Sequence, residues 1–124
     1  MSTFRYPIEI GDPARQRFER IEAWVDTGAS YSLMPRDILH RLGYSPSHYR
    51  PFRLADGSVV EMGLCQVSMR IAESTLMVSC VFGEGGSEPL LGATALEEFA
   101  LGADPVNHRL VPVVLNLLSF NPET

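Results

Sequence analysis

Trp24-Val25-Asp26-Thr27-Gly28-Ala29-Ser30 is the stretch on which the reading of this chain turns. An apolar run delivers one carboxylate to a tight turn, and small residues follow at once. A glycine after Thr27 lets the backbone fold back sharply or approach another chain closely. Burial disfavours the charged form of a carboxylate, so an aspartate at the end of a buried strand needs compensation. The same placement prepares a carboxylate for acid/base chemistry. Asp-Thr-Gly after a strand is also what an ordinary turn looks like, with the aspartate accepting from the next backbone amides. The triplet alone does not choose between the two.

Upstream, Phe18 to Val25 alternates as a strand with Ile21, Ala23 and Val25 on one face, and Phe4 to Ile10 reads as its hairpin partner across Gly11-Asp12-Pro13. Asp26 therefore stands at the mouth of a sheet, held by rigid elements on one side. Downstream, Ser32-Leu33-Met34-Pro35 reads as a helix entry, with Pro35 in the first turn and Asp37 near the positive end of the dipole. Ile38, Leu39 and Leu42 supply a helical face, and Gly43 is a natural stop.

Arg50 to Leu54 leads into Ala55-Asp56-Gly57-Ser58 and then Val59 to Met62; Asp-Gly between two extended runs is a strong hairpin signal. Cys65 to Ile71 and Thr75 to Phe82 read as a further hairpin around Ala72-Glu73. If Ile71 faces Ser74, Cys65 falls opposite Cys80, and a slip of one residue would undo this. The loop from Gly83 to Pro89 is rich in glycine but is not a phosphate loop: no Lys-Ser/Thr follows, and its two acids would repel an anion.

Further on, Pro89-Leu90-Leu91-Gly92-Ala93-Thr94 repeats the grammar of the opening stretch: two apolar residues, a glycine, then a helix. Thr94 to Glu97 fits a capping box for a helix reaching Leu101, with Gly102 ending it. A turn at Asp104 to Arg109 precedes an apolar strand from Leu110 to Leu118, in which Pro112 suggests an edge, bulge or bend. Only the first copy of the repeat holds an aspartate; the second has Leu91 at the comparable place.

Taken together, these features resemble the retropepsin-like aspartic proteases, the retroviral-type single-domain form. The residues that carry the resemblance are Asp26-Thr27-Gly28-Ala29-Ser30, the Ala55-Asp56-Gly57 turn, and Leu90-Leu91-Gly92 with its helix, over about Ile21 to Val113. The resemblance implies a mainly β fold, a closed barrel of hairpins with one or two short helices, filling residues 1–124 as one domain. It makes Asp26 the catalytic acid, with Thr27, Gly28 and Ala29 supporting the loop. Thr27 would bridge to the opposite subunit, and Gly28 would let the backbone reach an extended peptide. By the same resemblance Ala55, Asp56 and Gly57 form the tip of a flap over the substrate, and Leu91 and Gly92 build the second loop. The chemistry needs two carboxylates sharing a proton, because like charges at contact distance do not both ionise. One aspartate per chain then requires a homodimer, with a peptide or protein as substrate and no cofactor.

Length and composition agree with this. The chain has 124 residues, 45% of them hydrophobic, which is enough for a core in one domain. The net charge of −5 with no basic patch argues against a nucleic-acid partner. The start, Met1-Ser2-Thr3-Phe4-Arg5, has no apolar core of a signal peptide, and no run approaches a membrane span. A cytoplasmic protein with reduced Cys65 and Cys80 is the expectation, and no membrane partner. His40, His48 and His108 are isolated from other metal-type residues, so no metal site is expected. The tail Leu115 to Phe120 is apolar enough for a partner to cover.

Three other readings compete. A retropepsin-fold dimer that binds peptides without cutting them is set against the intact Asp26-Thr27-Gly28. Asp-x-Gly-x-Ser also occurs in the phosphate loops of sugar kinases and actin, but those folds need a far longer chain and a second such loop. A serine hydrolase at Ser30 or Ser32 would need a nucleophile elbow that is absent here.

Overall fold

The computed structural model describes residues 3–118. Its first hairpin joins β1 (Arg5–Gly11) to β2 (Phe18–Val25), with Ile8 opposite Ile21 and Arg5 opposite Trp24. Asp12 shapes the connection: its Oδ1 accepts from the backbone N–H groups of Gln16 at 2.7 Å and Arg17 at 2.8 Å. The bond from Arg17, the larger cause, and that from Gln16 hold this carboxyl below its usual value. Along β2, Ile21, Ala23 and Val25 turn to the core, as the alternation predicts.

Ser32–Pro35 is a strand, β3, rather than a helix entry. It runs parallel to β6 (Ser74–Gly83), with Ser32 beside Cys80 and Met34 beside Phe82. Ser32 and Met34 are buried on one side of it, the period of two that a strand shows and a helix does not. The helix α1 begins one residue past the proline, at Arg36–Leu42, and ends where Gly43 adopts φ 104°. There the Gly43 and Tyr44 N–H groups bond back to His40 and Leu39.

The strands β4 (His48–Arg53) and β5 (Val59–Ile71) form a long arm, and β5 continues without a break into its pairing with β6. Cys65 lies opposite Cys80 and Ile71 opposite Ser74, the register expected from the sequence. The short β7 (Leu90–Leu91) sits between β2, to which it is parallel, and β3. The strand order is β1-β2-β7-β3-β6-β5-β4, and β1 also pairs with β5, so the pairing returns to its start. Glu9 and Arg70 seal that join with two bonds of 2.8 and 3.0 Å, the guanidinium lying over the Phe18 ring. Tyr44 closes it from inside: its hydroxyl donates to the Gly11 carbonyl at 2.6 Å and accepts from Ser68 N–H at 3.0 Å. The core enclosed by these strands includes Ile8, Ile10, Met34, Leu39, Val67, Met69 and Leu91.

The second helix, α2, spans Ala93–Glu98 and starts directly after Gly92, with no side-chain cap. The capping box expected at Thr94 to Glu97 does not form, because Thr94 is already inside the helix. Ala100, at φ 54°, ends the helix instead of Gly102, and Leu101–Asp104 becomes β8, paired with β9 (Arg109–Pro112). The expected strand to Leu118 stops at Pro112, after which a single further bond, from the Val113 N–H to the Ala100 carbonyl at 2.9 Å, ties the chain to the end of the second helix. Residues 113–118 have no regular structure, and Val114, Leu117 and Leu118 are almost fully exposed; Ser119 and Phe120 of the same apolar run lie outside the described residues. No helix among the described residues is long and apolar enough to cross a membrane.

Cys65 and Cys80 are free and buried. Burial pushes both thiols above their ordinary value, Cys80 the more strongly, with the neighbouring Cys65 adding to the shift at Cys80. Because the thiolate is the reactive form, both cysteines should react with an aromatic disulfide reagent at least about tenfold more slowly in the native than in the unfolded protein. Thiol titration with and without denaturant measures this. Equal rates in the two states would contradict the buried register.

Candidate active site

Asp26 follows directly on the last residue of β2, Val25, and is half-buried. Its Oδ1 accepts the Gly28 N–H at 3.0 Å, and its carbonyl accepts the Ala29 N–H at 3.1 Å. A Cβ on residue 28 would lie 3.3 Å from the same carboxylate oxygen, so the glycine keeps that approach open. Such bonds are those of an ordinary turn. What sets this one apart is how its backbone is held from the other side.

That side is the second loop. The Asp26 N–H donates to the Leu91 carbonyl at 3.0 Å, two residues after Trp24 N–H donates to the Pro89 carbonyl at 2.9 Å. Leu91 itself is fully buried, beside Val25. Past Gly92, the N–H groups of Ala93 and Thr94 donate to the carbonyls of Ala29 and Ser30 at 2.8 and 3.0 Å. These are N–H groups that the first turn of α2 cannot satisfy itself, so the helix start and the aspartate loop complete each other. Gly92 N–H donates to Ser32 Oγ at 3.1 Å, and Ser32 is fully buried. A Cβ at Gly92 would stand only 2.4 Å from the Tyr31 carbonyl oxygen, so the two loops meet at a place where no side chain fits.

The predicted site residues thus divide into two groups. Asp26, Gly28, Ala29, Leu91 and Gly92 form one hydrogen-bonded unit, with the exposed Thr27 within it. Ala55, Asp56 and Gly57 lie apart, at the tip of the β4–β5 arm. There the Leu54 and Gly57 N–H groups donate to the Ser58 and Leu54 carbonyls, and Gly57 has φ 89°. The Ser58 hydroxyl (2.6 Å) and N–H (2.9 Å) donate to Asp56 Oδ1, and these bonds, led by the hydroxyl, hold the Asp56 carboxyl below its usual value. No hydrogen bond joins that tip to Asp26 among the described residues. The arm reaches the aspartate loop instead through Phe52, whose ring meets Tyr31 edge-on at 5.9 Å between centroids.

Sequence reasoning weighed Ser32 only as the nucleophile of a rival reading and gave Tyr31 and Phe52 no role. Ser32-Leu33-Met34-Pro35 has no polar/apolar alternation to mark a strand, and the ring contact depends on tertiary placement and leaves no local pattern.

Comparisons with known proteins fit this arrangement. No curated relative matches the sequence. Among solved structures, the chain is similar to "EIAV protease complexed with the inhibitor HBY-793", with a TM-score of 0.59 and 17% identity over 77% of this chain and 86% of that one. At that identity the likeness concerns the fold. The family model described as "gag-polyprotein putative aspartyl protease" matches residues 17–98, which include both the aspartate loop and Gly92. The chain therefore belongs to the gag-polyprotein, retroviral-type aspartyl protease family, and its fold is retropepsin-like.

Proposed function

We propose that the protein is an aspartic endopeptidase whose active form is a homodimer, each copy supplying one Asp26. The observation that carries this reading is the asymmetry of the two loops. The aspartate loop is completed within the chain by a loop that presents buried Leu91 at the comparable place, so the second carboxylate has to come from another copy. A twofold axis beside Asp26 would bring the pair together. The exposed apolar residues Val114, Leu117 and Leu118 give such a dimer apolar surface to bury.

In this reading a water sits between the two carboxyl groups. The ionised one takes a proton from the water as its oxygen attacks the peptide carbonyl carbon, and the protonated one donates to the carbonyl oxygen. The backbone clamps from Leu91, Ala93 and Thr94 hold each loop in place, so the pair keeps its geometry through the reaction. An extended peptide lies between the loops and the arms, bound largely by main-chain hydrogen bonds, with Ala55, Asp56 and Gly57 as the closing tips.

Dilution tests the assembly. Specific peptidase activity is expected to fall as the protein is diluted through its dissociation constant, in step with the loss of dimer seen by ultracentrifugation. A monomer that keeps full activity under assay conditions would rule the proposal out.

A further inference from the structure

We infer that Arg50 selects peptide substrates carrying an acidic side chain near the scissile bond; the inference rests on the peptidase reading above and refines it. The orientation of the arm provides the starting point. Side chains alternate along β4, and directly paired residues share a face, so His48, Arg50 and Phe52 lie on one side with Leu64, Met62 and Val60. Phe52 meets Tyr31, the residue after Ser30 of the aspartate loop, which makes that side the one facing the catalytic floor. Tyr49, Glu61 and Gly63 alternate to the other side and, together with Met62, border a cleft of about 330 Å³ against Arg36 and His40 of α1.

The underside of the arm is therefore apolar near its end, with Phe52 and Val60, and cationic one step further back at Arg50. That step is two residues, about 7 Å along an extended strand, which is also the spacing of same-side residues in a bound extended peptide. No carboxylate lies on that side of the arm; Glu61 and Asp56 belong to the other side and to the turn. Arg50 is exposed, and its side chain makes neither a hydrogen bond nor an ion pair among the described residues. Most of the other arginines are engaged: Arg53 with the Gly57 carbonyl, Arg70 with Glu9, Arg41 with Glu19, Arg5 with Glu88 and the Trp24 ring. A guanidinium left free on the substrate side, in a chain of net charge −5, suits a planar carboxylate, which it can hold with two bonds.

The test uses matched peptides with Glu or Lys placed in turn at each position around the cleaved bond. At one position wild-type protein is expected to favour Glu over Lys by about tenfold in kcat/KM, through attraction of one and repulsion of the other. Arg50→Glu should invert that preference. Arg36→Glu, the same charge change behind the arm, should leave it in place. The peptides are also measured for binding to the Asp26→Asn protein, with and without Arg50→Glu. Charge-dependent binding without any cleavage by wild type would support the role of Arg50 and overturn the peptidase reading alone. Cleavage with no charge preference, a preference unmoved by Arg50→Glu, or neither cleavage nor charge-dependent binding would overturn the inference.

Discussion

Asp26→Asn is expected to leave a folded dimer with peptidase activity reduced by at least about 10³-fold, the scale of removing a positioned acid/base group. The amide has the shape of the carboxyl and its oxygen can still accept the Gly28 N–H, so the turn is kept. The main-chain clamp from Asp26 N–H to the Leu91 carbonyl does not involve the side chain at all. What is lost is a group that can take a proton from water and return it. Near-native thermal unfolding with residual activity of about a thousandth of wild type or less agrees with the assignment, and activity above a tenth contradicts it.

Gly92→Ala is expected to have the largest effect on stability of any glycine-to-alanine change in this chain. The new Cβ would lie 2.4 Å from the Tyr31 carbonyl oxygen, 2.5 Å from its carbon and 2.9 Å from the Ser32 nitrogen. All three are backbone atoms and cannot swing away as a side-chain tip would. Separating the loops relieves the overlap only by stretching the bonds from Gly92 to Ser32, from Ala93 to Ala29 and from Asp26 to Leu91. Overpacking and lost buried hydrogen bonds together cost about 3 kcal/mol or more, a fall in Tm of roughly 10 °C for a domain of this size. Gly85→Ala is the control, since a Cβ there meets nothing within 4 Å. Calorimetry on the pair of variants decides the matter; equal, small shifts would mean that the loops do not meet as described.

The aspartate loop and its apolar counterpart were legible because each is spelled in a few adjacent residues. Asp26-Thr27-Gly28 and Leu90-Leu91-Gly92 each combine a strand end with the small residue that a tight approach needs. The hairpin registers were legible for a similar reason, since a short turn at Ala72-Glu73 leaves little freedom in how Cys65 and Cys80 align. Errors came where distant partners decided the outcome. Ser32–Pro35 looks like a helix entry in isolation, yet β6 and β7 on either side draw it into the sheet. Thr94 fits a cap by spacing, but the loop at Ala29 and Ser30 takes up the free N–H groups of the helix start and places Gly92 at its head. Pro112 was marked in the sequence as an edge, bulge or bend, and the strand ends there; the left-handed turn at Ala100 has no glycine to announce it, so Gly102 was taken as the stop.

The proposed two-copy active site is tested most directly by mixing subunits. Wild-type protein at fixed concentration is equilibrated with increasing amounts of Asp26→Asn protein, and peptidase activity is measured. If each active unit needs an intact Asp26 from both copies, activity should fall to about half at equal amounts and to about a tenth at a ninefold excess, as random pairing of like subunits requires. Activity that stays constant as the inactive subunit is added would show that one chain carries the whole catalytic apparatus.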